Sequence, residues 1–204
     1  DNRLTNWFCQ NMIMENNKIT KITIGLDYHT LTQRPLWGPI SSCQDQEKML
    51  IMIKDKSVPF WNRNIKCYGN FQFNIQSKLG YDRNDAFKNI KKDLMYYEEK
   101  PVSRLITWNK QKDFAFVICP YGAGLDCHRN WVALCLVCIP IVKTSKIDNL
   151  YKDLPVLIVK NWNTIDNNLL HNTIIDYKKK FENNEFNIEK LKLSYWTNLI
   201  NSYK

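Results

Sequence analysis

Hydrophobic positions along this chain follow two periods, and the points where one gives way to the other mark out its elements. Ile19-Thr-Lys-Ile-Thr-Ile24 alternates and is β-branched, which predicts a strand ending at Gly25. Between Gln44 and Lys56, Met49, Leu50, Met52 and Ile53 sit among charges and predict a helix. Ile65–Phe73 predicts a second strand. Asp82–Glu98 predicts a helix, with Asp82 and Asp85 at the positive end of its dipole and Pro101 as its stop. From there the order becomes regular: strands over Val102–Thr107 and Phe114–Cys119, a helix over Asp126–Val137, and strands over Ile139–Val142 and Val156–Val159. Pro140 cannot donate to a ladder, so it predicts a strand start or an exposed edge. Two amphipathic helices close the chain. Thr164–Phe181 carries Ile165, Leu169, Leu170 and Ile174 on one side, and Ile188–Tyr203, after an Asn187 cap, presents Leu191, Tyr195, Trp196 and Leu199.

Strands that alternate with helices imply an α/β fold, a Rossmann-like parallel sheet flanked by helices. The pattern divides the chain into an N-terminal segment, residues 1–78, and a Rossmann-like unit over residues 79–204 with two closing helices. At 204 residues and 44% apolar content the chain can bury a core, which excludes a disordered protein. No run reaches the roughly 18 apolar residues of a transmembrane helix, so membrane attachment is not encoded here. The chain starts at Asp1 without Met, and the expectation is that targeting or membrane sequence lies upstream.

Seven cysteines form no regular framework, and none of the 24 asparagines opens a glycosylation sequon. Both point to a reducing, cytoplasmic setting. The net charge is +9, but lysines outnumber arginines 23 to 6 and are spread along the chain. Asn, Lys and Ile make up 68 residues, the signature of A/T-rich codons, and the charge reads as a diffuse solvated surface. Nucleic acid is not an expected partner.

One stretch stands apart, Phe116-Val-Ile-Cys-Pro-Tyr-Gly-Ala-Gly-Leu-Asp-Cys-His-Arg-Asn-Trp131. A buried strand runs into a loop holding Gly122 and Gly124, then into a helix with His128 and Arg129 in its first turn. Glycines allow close backbone approach, a helix N-terminus offers N–H groups to a phosphate, and Arg129 supplies a planar fork for diphosphate oxygens. The plain alternative is a tight strand-to-helix turn with Arg129 on the surface. His128 suits either a phosphate or sugar oxygen or a structural role. Asp27 and His29, beside Gly25, line a cleft or form an ordinary polar turn. Cys135-Leu-Val-Cys138 has redox spacing but lies among apolar residues and reads as packed thiols, and no metal site is expected.

The run Pro120-Tyr-Gly-Ala-Gly-Leu-Asp-Cys-His-Arg-Asn-Trp-Val-Ala-Leu134, followed by Cys138-Ile-Pro-Ile-Val142, resembles the exostosin-like glycosyltransferases. Their donor domain carries a Pro-Arg-Gly loop, a helix of the form Arg-x-x-Glu-Ala-Leu, and a small-Cys-Ile/Val-Pro-Val strand. The resemblance implies a GT-B architecture of two Rossmann-like domains, of which this chain holds mainly the donor-binding second. It implies that a nucleoside diphosphate sugar is bound by Tyr121, Gly122, Ala123, Gly124, Asp126, His128 and Arg129. It further implies that this sugar passes to a glycan or other hydroxyl acceptor without metal or other cofactor. The acceptor site and general base would lie in the preceding domain. Val132 stands where the family has its ribose-binding glutamate, Tyr121 where it has the loop arginine, and Val137 where it has glycine. The alternative from another class is a non-catalytic relative kept as a binding or scaffolding module.

Overall fold

In the computed structural model, which describes residues 3–73 and 76–203, a five-stranded parallel sheet is covered by helices on both faces. The chain opens with a small parallel ribbon of β1 (Trp7–Cys9) and β2 (Ile19–Lys21), followed by α1 (His29–Gln33). Helix α2 (Cys43–Asp55) starts where Ser42 accepts a bond from the Asp45 N–H. Then come β3 (Asn64–Gly69), α3 (Tyr81–Asn89), β4 (Met95–Tyr97), α4 (Arg104–Gln111) and β5 (Phe114–Ile118). The chain continues through α5 (His128–Cys135), β6 (Ile139–Lys143) and β7 (Leu157–Val159). It ends with α6 (Asn167–Glu182), capped by Asp166, and α7 (Leu193–Asn201).

The strand order is β4-β3-β5-β6-β7. All five residues of β5 are buried, which is why this strand reads as a continuous apolar run. Val117 and Cys119 join a core with Leu50, Trp108, Trp131 and Leu134, under α2, α4 and α5. Phe116 and Ile118 join the opposite core with Ala86, Ile90, Leu170 and Ile174, under α3 and α6. Each Val, Leu, Ile or Phe side chain wholly removed from water in this way contributes about 1.5–3 kcal/mol. The path from β3 turns first to β4 and then back across β3 to β5. The direction of winding therefore reverses between β3 and β5, the place where open α/β sheets receive ligands beyond the carboxyl ends of their strands.

The structure corrects several expected elements. The helix expected over 82–98 stops at Asn89, and Met95–Tyr97 pairs in parallel with Cys67–Gly69 as an edge strand. The strand expected over 102–107 is the start of α4. There Ser103 accepts from the Ile106 N–H, and Trp108 and Gln111 are buried at helical spacing. Strand β1 was not expected at all. Helix α5 spans 128–135, shorter at both ends than expected. Pro140 sits in an interior strand opposite Val117, but pairing with β7 begins only at Ile141 and Leu157, so no ladder bond is lost. β3 and the helix α2 over it come from before residue 79, so the sheet unit draws on both stretches into which the pattern divided the chain.

Candidate functional site

Beyond β5 the Cys119 N–H still bonds to the Ile141 carbonyl, and then the chain leaves the sheet at Pro120. Tyr121 is tied down on every side. Its N–H donates to Asp82 Oδ2 at 2.9 Å, and its carbonyl accepts from Arg83 Nε at 3.1 Å. Its hydroxyl lies 2.9 and 2.8 Å from the carbonyls of Lys143 and Thr144, and burial pushes that phenol up to about 12. Asp82, at the start of α3, is fully buried and also meets Trp162 Nε1 at 2.9 Å and Lys143 Nζ at 2.5 Å. This carboxylate therefore joins the ends of β5, β6 and β7 to one helix start.

The loop is closed by a bond from Gly122 N–H to the Gly124 carbonyl; Gly122 is buried and Ala123 is exposed. A Cβ on Gly124 would lie 2.4 Å from Asn11 Oδ1. The space left by that glycine is thus filled by the chain's own N-terminal segment, and Asn11 Oδ1 accepts from the Asp126 N–H at 2.7 Å. Asp126 is buried, with Oδ2 accepting from Ile24 N–H and Oδ1 from Trp131 Nε1, both at 2.8 Å. Polar groups of Tyr121 and Asp126, and the space beside Gly124, are thus used inside the fold.

The first turn of α5 divides between two neighbourhoods. His128 Nδ1 lies 2.8 Å from the Gly25 carbonyl, and its ring is 5.9 Å from that of His29. Asp27 accepts from the Thr30 N–H and pairs with Arg104 Nη2 at 3.0 Å, while His29, largely exposed, stands 3.1 Å from the same carboxylate. Burial works to raise the Asp27 carboxyl, but bonds from Thr30 and the Arg104 charge outweigh it and hold it below its usual range. Arg104 also meets Gln46 Oε1 and lies over the rings of Trp37 and Trp108. Asp27 and His29 are thus brought beside His128, but in a turn whose carboxylate has a structural partner. Val132, one turn on from His128, is half-buried and packs against the core that holds Trp131 and Leu134.

Arg129 points the other way, toward the reversal between β3 and β5. Its guanidinium lies 5.7 Å from the Phe71 ring, and Nη1 is buried with no hydrogen-bond partner among the described residues. Arg83, only 7% exposed, stands close by and bonds the carbonyls of Tyr121 and Gln72. Burial first, and then repulsion from Arg129, lower Arg83 to about 10. Among the described residues, neither arginine has a carboxylate within ion-pair distance. Two cations set close together without a counter-charge are costly unless an anion joins them. Tyr97 and Cys127 feel both charges, although burial still raises each.

No protein-family model matches this sequence, and no curated protein matches it. Cavities of about 210 and 180 Å³ lie away from the loop, one lined by Val58, Trp61, Val137 and Phe181 near the starts of β3 and β6. The other is lined by Leu150, Lys190, Trp196 and Leu199. No group of three or more metal-ligating side chains occurs among the described residues, and no helix there is long and apolar enough to cross a membrane. The seven cysteines are unpaired, Cys135 and Cys138 included. Sequence reasoning found Arg129 but missed Arg83, Phe71, Tyr97 and Asp82. One signal was present. In a chain whose composition favours lysine, Arg63, Arg83, Arg104 and Arg129, four of the six arginines, are buried or half-buried. A buried cation that must bond in several directions calls for the guanidinium fork.

Proposed function

We propose that the chain is the donor-binding domain of an exostosin-like glycosyltransferase of GT-B architecture. It would hold the diphosphate of a nucleoside diphosphate sugar at the reversal between β3 and β5. The observation that carries this reading is the Arg83 and Arg129 pair, close together and, among the described residues, without a carboxylate, with Arg129 Nη1 buried and unbonded there. Arg129 itself stands in the first turn of α5, at the positive end of that helix. In the reaction, the acceptor hydroxyl forms the new bond to the anomeric carbon and loses its proton to a base. The bond from that carbon to the diphosphate breaks, and its electron pair leaves with the diphosphate. The two guanidinia and the helix start would carry that developing charge without a metal ion. The base and the acceptor site are assigned to a separate domain, so this chain alone is expected to bind donor without transferring sugar.

A second reading, a non-catalytic binding module, is favoured by Val132. The family's ribose-binding position is not only apolar here but half-buried against the core. Calorimetry against uridine, guanosine and adenosine diphosphates separates the two. Binding of at least one, weakened by about 1.5–3 kcal/mol in Arg129→Ala and partly restored in Arg129→Lys, supports the donor domain. Equal affinity in wild type and Arg129→Ala, or no binding, removes it in favour of the module.

A further inference from the structure

The neighbourhood of Arg129 continues into a cluster of aromatic rings that phosphate binding does not use. Phe71, buried beneath the guanidinium, has its ring centre 5.7 Å from that of Phe73 and 5.3 Å from that of Tyr97. Phe87, from α3, lies 5.2 Å from Phe73 and 5.0 Å from Tyr97. Phe71 is 1% exposed and serves as the floor, whereas Phe73 and Phe87 are 37% and 39% exposed. The two outer rings therefore keep apolar surface in water near two cations that lack a counter-charge among the described residues. Aromatic surface alone would not choose a ligand, and arginines alone would accept any anion. Together they select a molecule that carries both phosphate oxygens and a planar ring.

The opposite side of α5 offers no such partner. There Gly25 is bonded to His128, Ile24 to Asp126, and Val132 is half-buried against the core. A nucleoside laid along α5 would meet the chain's own backbone, while one directed past Arg129 toward the ends of β3 and β4 would meet the exposed parts of Phe73 and Phe87.

We infer that Phe73 and Phe87 form a stacking platform for the nucleobase of a nucleoside diphosphate whose phosphates lie on Arg83 and Arg129. The inference rests on the anion site proposed above and adds the direction in which its ligand lies. Stacking on aromatic side chains is tolerant of base identity, so the platform fits purine and pyrimidine nucleotides alike.

The test is calorimetry of the whole chain with inorganic pyrophosphate and with uridine, guanosine and adenosine diphosphates. The expected result is that all three nucleotides bind at least about tenfold more tightly than pyrophosphate. Phe73→Leu and Phe87→Leu keep apolar volume and remove the ring faces. Each should reduce the nucleotide advantage to within about threefold while leaving pyrophosphate affinity unchanged, and a thermal melt confirms that both variants fold. If pyrophosphate binds and the nucleotides bind no better, the platform is overturned and the anion site stands. If the advantage survives in both variants, the base lies elsewhere and the platform is again overturned. If neither kind of ligand binds, anion site and platform fall together.

Discussion

Replacing Asp82 with alanine tests the part of the structure on which the candidate site is built. Its carboxylate is wholly buried and accepts from the Tyr121 N–H and from Trp162 Nε1, both at 2.9 Å, while pairing with Lys143 Nζ at 2.5 Å. Removing it leaves two neutral donors without acceptors, each worth about 1–3 kcal/mol when buried. Lys143 keeps a second partner in Asp85 at 3.2 Å, so its charge is not stranded entirely. The total loss expected for Asp82→Ala is about 3–5 kcal/mol, a large share of the roughly 5–15 kcal/mol that a domain has. Asp82→Asn retains one acceptor oxygen and should lose less, about 2–3 kcal/mol. Urea unfolding followed by tryptophan fluorescence measures both, with Trp162 as a reporter bonded directly to the altered group. The double variant Asp82→Ala/Lys143→Met should lose clearly less than the sum of its parts, because the pair no longer leaves a charge behind. A loss below about 1 kcal/mol in Asp82→Ala would refute the view that this carboxylate holds the strand ends together.

Val137 gives a prediction of reversed sign. It follows α5 with φ +56°, and the bonds Val137 N–H to Leu134 O and Cys138 N–H to Ala133 O close the helix in the geometry that favours glycine. Val137→Gly and Val137→Ala lose the same half-buried side chain, yet glycine should be the more stable by about 1 kcal/mol, against its usual deficit relative to alanine. Equal thermal stability of the two would remove the strain argument. Asp27 gives a pH dependence. Its folded carboxyl lies below the ordinary 3.8, so its contribution is present above that value and is lost as pH falls through the lower folded value. The stability difference between wild type and Asp27→Asn should therefore be full at pH 5 to 7 and shrink in acid. A difference that grows as the pH drops would contradict the assignment.

The sequence by itself determined the elements whose residues carry their own reason. The unbroken apolar run of β5 requires cover on both faces, and the alternation of strand, helix and strand from residue 114 to 143 leads to a parallel sheet. It also singled out Arg129 at a helix start. What it misread were segments with more than one local solution. Met95–Tyr97 reads as the end of a helix until the open edge of β3 supplies a partner, and Val102–Thr107 reads as a strand until Ser103 caps a helix. The site itself is assembled only in three dimensions. Arg83, Phe71 and Tyr97 come near Arg129 because the chain reverses between β3 and β5, and no periodicity records a reversal. Gly124 shows the same division. Its lack of a side chain is visible in the sequence, but the tertiary fold decides that Asn11 occupies the space, because a glycine states only that something comes close.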